Sequence, residues 1–161
     1  MLLVESTDAD FEAMLGGAAR LPNGLVLPPG GVDERQVLEI LRRLSAKLRA
    51  DEARAIQLMV SESEVVGTCG FKTAPAPSGE VEIGYGVAAS RRRRGHATRA
   101  VAELIAQARR DPAMRVVTAE TAVDNVASQR VLAANGFERA GTRVDPHDGR
   151  LVLWRIGVGA G

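Results

Sequence analysis

Apolar positions along this chain repeat with two different periods, and the switches between them mark out alternating strands and helices. Leu2 to Glu5 predicts a short edge strand. Thr7 or Asp8 then offers a side-chain oxygen to cap a short helix carrying Phe11, Met14 and Leu15, which Gly16 and Gly17 end. The stretch LPNGLVLPPGG, residues 21–31, holds too much proline and glycine for regular structure and predicts a loop. Asp33 and Gln36 have the spacing of a capping box, and Val37, Ile40, Leu41, Leu44 and Leu48 follow on one helical face.

Residues 55–61 and 65–72 read as two strands of a hairpin joined by Glu62, Ser63 and Glu64. Gly67 and Gly70 inside the second strand predict a bulge or a close backbone neighbour. After the loop 73–79, residues 81–88 form a third strand rich in β-branched residues, with Gly84 and Gly86 inside it. A long helix follows, its buried face marked by Ala97, Val101, Leu104, Ile105 and Ala108 and its end by Asp111 and Pro112. Residues 115–121 predict a strand. Asp124 and Asn125 can cap a helix running to Asn135, with Gly136 in the left-handed C′ position. Residues 137–144 and 150–156 are strands around the turn DPHDG, and the tail GVGAG is expected to fray. The order is one strand, two helices, three strands, helix, strand, helix and two strands, a mixed α/β arrangement rather than a run of βαβ units.

The pattern converges on residues 91–97, between the glycine-bearing strand and the long helix. A glycine-containing turn that opens a helix aims unpaired backbone N–H groups and the positive end of the helix dipole at one spot. That spot suits an anion, most naturally a phosphate. Neither a P-loop nor an early G-x-G-x-x-G dinucleotide fingerprint is present.

Composition narrows the setting. With 161 residues, the chain fits one domain, 1–161. Its 21 basic and 20 acidic residues leave a net charge of +1, which argues against general nucleic-acid affinity and a polybasic membrane anchor. Cys69 stands alone, so no internal disulfide can form and a reducing compartment is the default. The first residues lack a basic and apolar leader, and no apolar run reaches membrane-spanning length; the expectation is a soluble, cytoplasmic protein.

Two segments carry a family resemblance. Arg92-x-x-Gly95-x-Ala97 matches Q/R-x-x-G-x-G/A, and Asn125, Ala127 and Ser128 followed by VLAANGF match N-x-A-S-x-x-V-L-x-x-x-G-F. With EIGYGV, these resemble the GCN5-related N-acetyltransferase (GNAT) superfamily, in its ribosomal-protein N-terminal acetyltransferase (RimJ/RimL-like) branch. The resemblance covers about residues 65–156. It implies a mixed, mostly antiparallel sheet of six to seven strands, splayed in the middle, with about four helices. It also implies acetyl-CoA as co-substrate, no metal, and an amine acceptor.

Carried onto this chain, the resemblance assigns the pyrophosphate of CoA to the backbone N–H groups of Arg93, Arg94, Gly95, His96 and Ala97, with Thr98 next in the helix. Arg92 would brace the turn or touch phosphate. For Arg91, Arg93 and Arg94 a solvated charge run is as compatible as contact with the 3′-phosphate, and His96 is assigned a backbone role. Val87, with Ala88 or Ala89, would pair with pantetheine, and the N–H nearest Val87 would steady the oxyanion. Asn125 would contact the pantetheine arm or simply cap its helix.

The attacking amine must be neutral, although α-amines have pKa values of about 7.7 to 8.0 and lysines about 10.4. Glu82, on one strand face with Gly84 and Gly86, is the candidate base, with Glu80 and Glu120 as rivals or a carboxylate that only binds the ammonium as the alternative. Where many family members place an acidic tyrosine, this chain has Leu132. The RimJ/RimL-like branch implies Ser128 as proton donor to the thiolate instead, against a serine bonded back to its own helix. Tyr85 points opposite Glu82 and reads as structural or a pocket wall, and Cys69 as a small buried hydrophobe.

Acceptor contacts are expected from loop 21–31 and the final hairpin, where Asp145, His147 and Asp148 would favour a cation. The acceptor is a peptide N-terminus or a small amine, the alternative being a silent acyl-CoA-binding module. An RNA-binding role conflicts with the neutral charge and scarce aromatics. Monomer and homodimer are both compatible.

Overall fold

The computed structural model describes residues 1–159 and builds one sheet flanked by helices on both faces. In chain order the elements are β1 (Leu2–Glu5), α1 (Asp8–Leu15), α2 (Arg35–Ala50), β2 (Gln57–Ser61), β3 (Glu64–Phe71) and β4 (Glu80–Val87). A 3-10 turn (Ala89–Arg91) leads into α3 (His96–Arg110), β5 (Val116–Ala122), α4 (Val126–Ala134), β6 (Glu138–Asp145) and β7 (Gly149–Gly157). The seven strands lie in the order β1-β2-β3-β4-β5-β7-β6. Neighbours are antiparallel except β4 and β5, which run parallel. No helix among the described residues is long and apolar enough to cross a membrane.

Strand alternation sorts side chains onto two cores. Leu58 and Val60 of β2 face Phe11 and Met14 of α1 and Leu38 and Leu48 of α2. Met59, Val81, Ile83 and Val117 face Val101, Leu104 and Ile105 of α3 and Leu132 of α4. Thr7 caps α1 through a reciprocal box: its hydroxyl accepts from Asp10 N at 3.1 Å, and Asp10 Oδ2 accepts from Thr7 N at 2.9 Å.

The start of α2 corrects the sequence expectation. Its N-cap is Glu34, with no side-chain cap bond, and Asp33 Oδ1 instead accepts from the adjacent Glu34 N at 2.8 Å. Because the helix opens at Arg35, Asp33 lies outside its first turn and no box with Gln36 forms. Ile40 is also 54% exposed, and Leu38 takes its place in the core. At the other end the tail does not fray where it is described. Val158 N and Gly159 N both donate to Arg115 O, at 2.8 and 3.1 Å, and Val158 is buried. Residues 160–161 of that expected tail lie outside the described residues.

Gly67 shows why the centre of the sheet needs small residues. Met59 pairs with Gly67 and Val60 with Val65, leaving Val66 as the bulged residue. A Cβ on Gly67 would collide with the carbonyl oxygen of Gly86 and stand 3.0 Å from Met59 Sδ. The bulge and the close neighbour are therefore one feature, which seats β3 against the end of β4.

The middle of the sheet parts. β4 and β5 pair through Glu80–Val116, Val81–Val117 and Glu82–Thr118 and then separate. β5 goes on to pair with β7 along Val116–Ala122, while the rest of β4 keeps only β3. Replacing Gly67 with alanine should cost about 2 kcal/mol or more, because backbone rather than a mobile side chain occupies the space. Urea denaturation of Gly67→Ala against the parent checks this, and an unchanged midpoint would refute the contact.

Candidate active site

Just beyond β4 the chain makes a turn whose amides are left unpaired. Arg91 N donates to Ala88 O at 2.8 Å, and Arg99 N is the next backbone donor with a partner, Gly95 O at 3.1 Å. The N–H groups of Arg92 to Thr98 between them have no acceptor among the described residues. Arg93 (φ +65°) and Gly95 (φ +77°) both take the left-handed conformation. Successive N–H groups in such alternation converge into an anion-binding nest, here continued by the N-terminus of α3. The left-handed Arg93 is strained for a residue with a side chain, and nothing in the spacing of the motif announces it.

The turn is braced from outside. Arg99 Nη2 donates to Arg94 O at 3.0 Å and lies 3.0 Å from His96 Nδ1. A guanidinium can only donate, so Nδ1 accepts and the imidazole is neutral. Burial first, then the charges of Arg99 and Arg94, holds the His96 pKa below the ordinary histidine value. Arg91 forms a two-pronged ion pair with Glu64 of β3, with Nη2 to Oε2 at 3.0 Å, and that bond lowers the Glu64 pKa. Neither Arg91 nor Arg99 is thereby free to act as a mobile phosphate contact.

A cleft of about 780 Å³ runs from this turn into the parting between β4 and β5. Of the residues the sequence singled out, Val87, Arg92, Arg93, Gly95, His96, Ala97, Thr98, Asn125 and Ser128 line it. Backbone direction alternates along β4. Glu82 O accepts from Lys72 N at 2.8 Å and Ala88 N donates to Val66 O at 2.8 Å, so even positions address β3. Beyond the last β4–β5 pair, Tyr85 and Val87 therefore present their backbone groups to the gap. Ala88 departs from expectation: it is fully buried and both its N–H and C=O are taken. Ala89 begins the 3-10 turn, and the Arg94 side chain opens onto a separate hollow with Glu64 and His96.

Across the gap, Asn125 lines the cleft and its Oδ1 accepts from Ser128 N at 3.1 Å, capping α4. The Ser128 hydroxyl is not bonded back to its own helix. It lies 2.6 Å from the Tyr85 hydroxyl, which also reaches Ser128 O at 3.3 Å. Burial raises the Tyr85 pKa, and the Ser128 bond partly offsets this. This pair is what the sequence reading missed. Alternation placed Tyr85 opposite Glu82 correctly, but only the sheet order puts α4 on that side. Leu132, by contrast, is fully buried in the core.

The carboxylate candidates are largely committed. Glu82 Oε2 is 2.6 Å from Lys72 Nζ, a cross-strand pair created because Phe71 is in register with Ile83, and Glu82 does not line the cleft. Glu120 accepts twice from Arg143, at 2.9 and 2.7 Å, and Glu80 sits at the closed end of β4. Asp145 Oδ1 accepts from His147 N and Asp148 N at 2.8 and 2.9 Å, bonds that lower its pKa and tie up the tip of the final hairpin. Burial pushes the Cys69 thiol up to about 12, so it is inert as a nucleophile. No cluster of three or more metal-ligating side chains occurs among the described residues.

The parted sheet beside an amide nest suits an extended ligand arm that ends in an anionic group, and sequence comparison gives the family. A family model described as "Acetyltransferase (GNAT) domain" matches residues 1–138, and the chain belongs to that family. It is 28% identical over 121 residues to the uncharacterized N-acetyltransferase p20 of Bacillus licheniformis, a match that covers 73% of this chain and 66% of that protein. The chain thus spans just under two thirds of that relative. Among solved structures, RimL, a ribosomal L7/L12 alpha-N-protein acetyltransferase in complex with coenzyme A, superposes with a TM-score of 0.75 at 17% identity, over 99% of this chain and 94% of that one. The aminoglycoside acetyltransferase AAC(6')-Ib with coenzyme A gives a TM-score of 0.70 at 20% identity, over 96% and 93%. Both likenesses concern the fold.

His96 yields a test. Its folded pKa lies below the unfolded one, so below about 6.5 the unfolded chain binds a proton that the folded chain refuses, and stability falls as pH drops. Denaturation at pH 7.5 and 5.5 should show a larger loss for the parent than for His96→Gln. Equal losses would place the acid sensitivity elsewhere.

Proposed function

We propose that this chain is an acetyl-CoA-dependent N-acetyltransferase that moves the acetyl group directly to a primary amine. The observation that carries the reading is the row of unpaired N–H groups from Arg92 to Thr98 at the mouth of the β4/β5 parting. Diphosphate oxygens would accept from those amides, with the Arg92 and Arg93 side chains alongside. The pantetheine arm would lie in the gap against Val87 as an added strand and take a hydrogen bond from the Asn125 NH₂ group. Ala88 and Ala89 support the turn from behind.

In the transfer, the amine nitrogen attacks the acetyl carbon, a C–N bond forms and the C–S bond breaks. The N–H of Val87 would meet the oxyanion of the tetrahedral intermediate. The thiolate takes a proton from the Ser128 hydroxyl, which Tyr85 can re-supply across their 2.6 Å contact. The proton given up by the amine goes to an acceptor-side carboxylate, directly or through water, and Glu82 lies on that side. The N-x-A-S block and the freedom of Ser128 from its own helix support RimJ/RimL-like chemistry, with a protein N-terminus or a small amine as acceptor. Acetyl-CoA as donor supports a cytoplasmic setting, with residues 1–161 working as one domain. A silent acyl-CoA-binding module is the second reading, and amine-dependent release of free CoA separates the two.

Two variants test the roles. Gly95→Val forces a β-branched residue to φ +77° and drives its Cβ against Arg99 Nη1, so acetyl-CoA binding by calorimetry should vanish while the circular dichroism spectrum persists. Unchanged affinity would refute the nest. Ser128→Ala should lower kcat about 100-fold with acetyl-CoA affinity retained, and full activity would move the acid to another group.

A further inference from the structure

Beside the coenzyme cleft lies a second cavity of about 140 Å³, between α2 and the face of β3 and β4 that it covers. Gly84 and Gly86 leave the β4 part of its floor bare, Thr68 and Lys72 of the neighbouring strand edge it, and Val37, Leu41 and Leu44 of α2 form an apolar roof. Its size is close to that of a protein cavity known to accept a benzene ring. Three residues border both this slot and the cleft: Asp33, Tyr85 and Gly86. Asp33 is thus the carboxylate at the junction, next to the strand whose Val87 N–H faces the gap.

Its setting suits a bound cation. Oδ1 is engaged with Glu34 N at 2.8 Å, while Oδ2 has no partner among the described residues and lies 3.7 Å from where a Cβ on Gly86 would stand. The loop that delivers it is fixed: Gly30 and Gly31 both have φ +82°, Val32 is buried, and the Ser90 hydroxyl donates to Pro29 O at 2.8 Å. The slot's other charges cancel, since Lys72 is paired with Glu82. One unpaired carboxylate beside an apolar slot matches one ammonium on an apolar body, and it offers nothing to the further cations of a polyamine or aminoglycoside.

We propose that Asp33 anchors the acceptor ammonium at the junction of the two cavities, and that the α2 slot selects monoamines with a compact apolar side chain, such as a peptide or amino-acid amide with an apolar first residue. This rests on the acetyltransferase reading for what happens to the amine, but the docking itself does not need turnover. L-leucinamide and kanamycin are therefore titrated into the protein saturated with free CoA, and both are assayed separately for acetyl-CoA-dependent CoA release. Leucinamide should bind more tightly than kanamycin. Asp33→Asn, whose side-chain oxygen can still accept from Glu34 N, should weaken leucinamide at least tenfold with CoA affinity unchanged. Leu41→Trp, which fills the slot, should weaken leucinamide relative to glycinamide.

Absent leucinamide binding, kanamycin binding more tightly, or unaltered leucinamide affinity in Asp33→Asn would each overturn the proposal. Leucinamide binding that depends on Asp33 without any CoA release would uphold the site and count against the transferase reading alone.

Discussion

The structure turns on the parting of two parallel strands. β4 and β5 share three residue pairs and then separate, because β5 stays with β7 while β4 is held by the bulged, glycine-bearing β3. Separation costs backbone hydrogen bonds that a buried strand would normally keep. The groups left open on Tyr85 and Val87 are compensated only when something extended occupies the gap. A fold that leaves such a row of donors and acceptors in its centre is shaped for a chain-like ligand arm, which is consistent with the GNAT family to which the protein belongs.

The same parting aligns the chemistry on its two sides. At its mouth, the left-handed Arg93 and Gly95 turn a run of amides toward one point, and Arg99 and Glu64 hold the turn from outside. On its far wall, α4 brings Ser128 to Tyr85 across a distance that neither helix nor strand could bridge alone. On the other face of β4, Gly84 and Gly86 keep the strand surface bare beneath α2. One strand therefore presents Tyr85 to α4 on one face and bare glycine positions to α2 on the other, as its two-residue period requires.

Electrostatics then sorts the carboxylates. Of the candidate bases read from the sequence, Glu82 is neutralised by Lys72 and Glu120 by Arg143, and Glu64 is likewise held by Arg91. Asp33, read from spacing as a helix cap, keeps an oxygen without a partner among the described residues, since α2 is capped one residue later, at Glu34. A carboxylate's usefulness in a site depends on who stands opposite it, and in a sheet that is a matter of register.

Taken alone, the sequence determined the local features. The periodicities marked the seven strands and four helices of the described residues, Gly136 marked the left-handed end it occupies, and the two motifs located the turn of unpaired amides before α3 and the cap of α4. These are set by neighbours within a few residues, through backbone conformation and unpaired helix amides, so spacing suffices to reveal them. The tertiary structure decided the Tyr85–Ser128 contact, the commitment of Glu82, the closure of Ala88 and the exposure of Asp33. Each of these joins residues far apart in the chain, and strand order, register and the packing of α2 over β4 choose which of many possible partners actually meet.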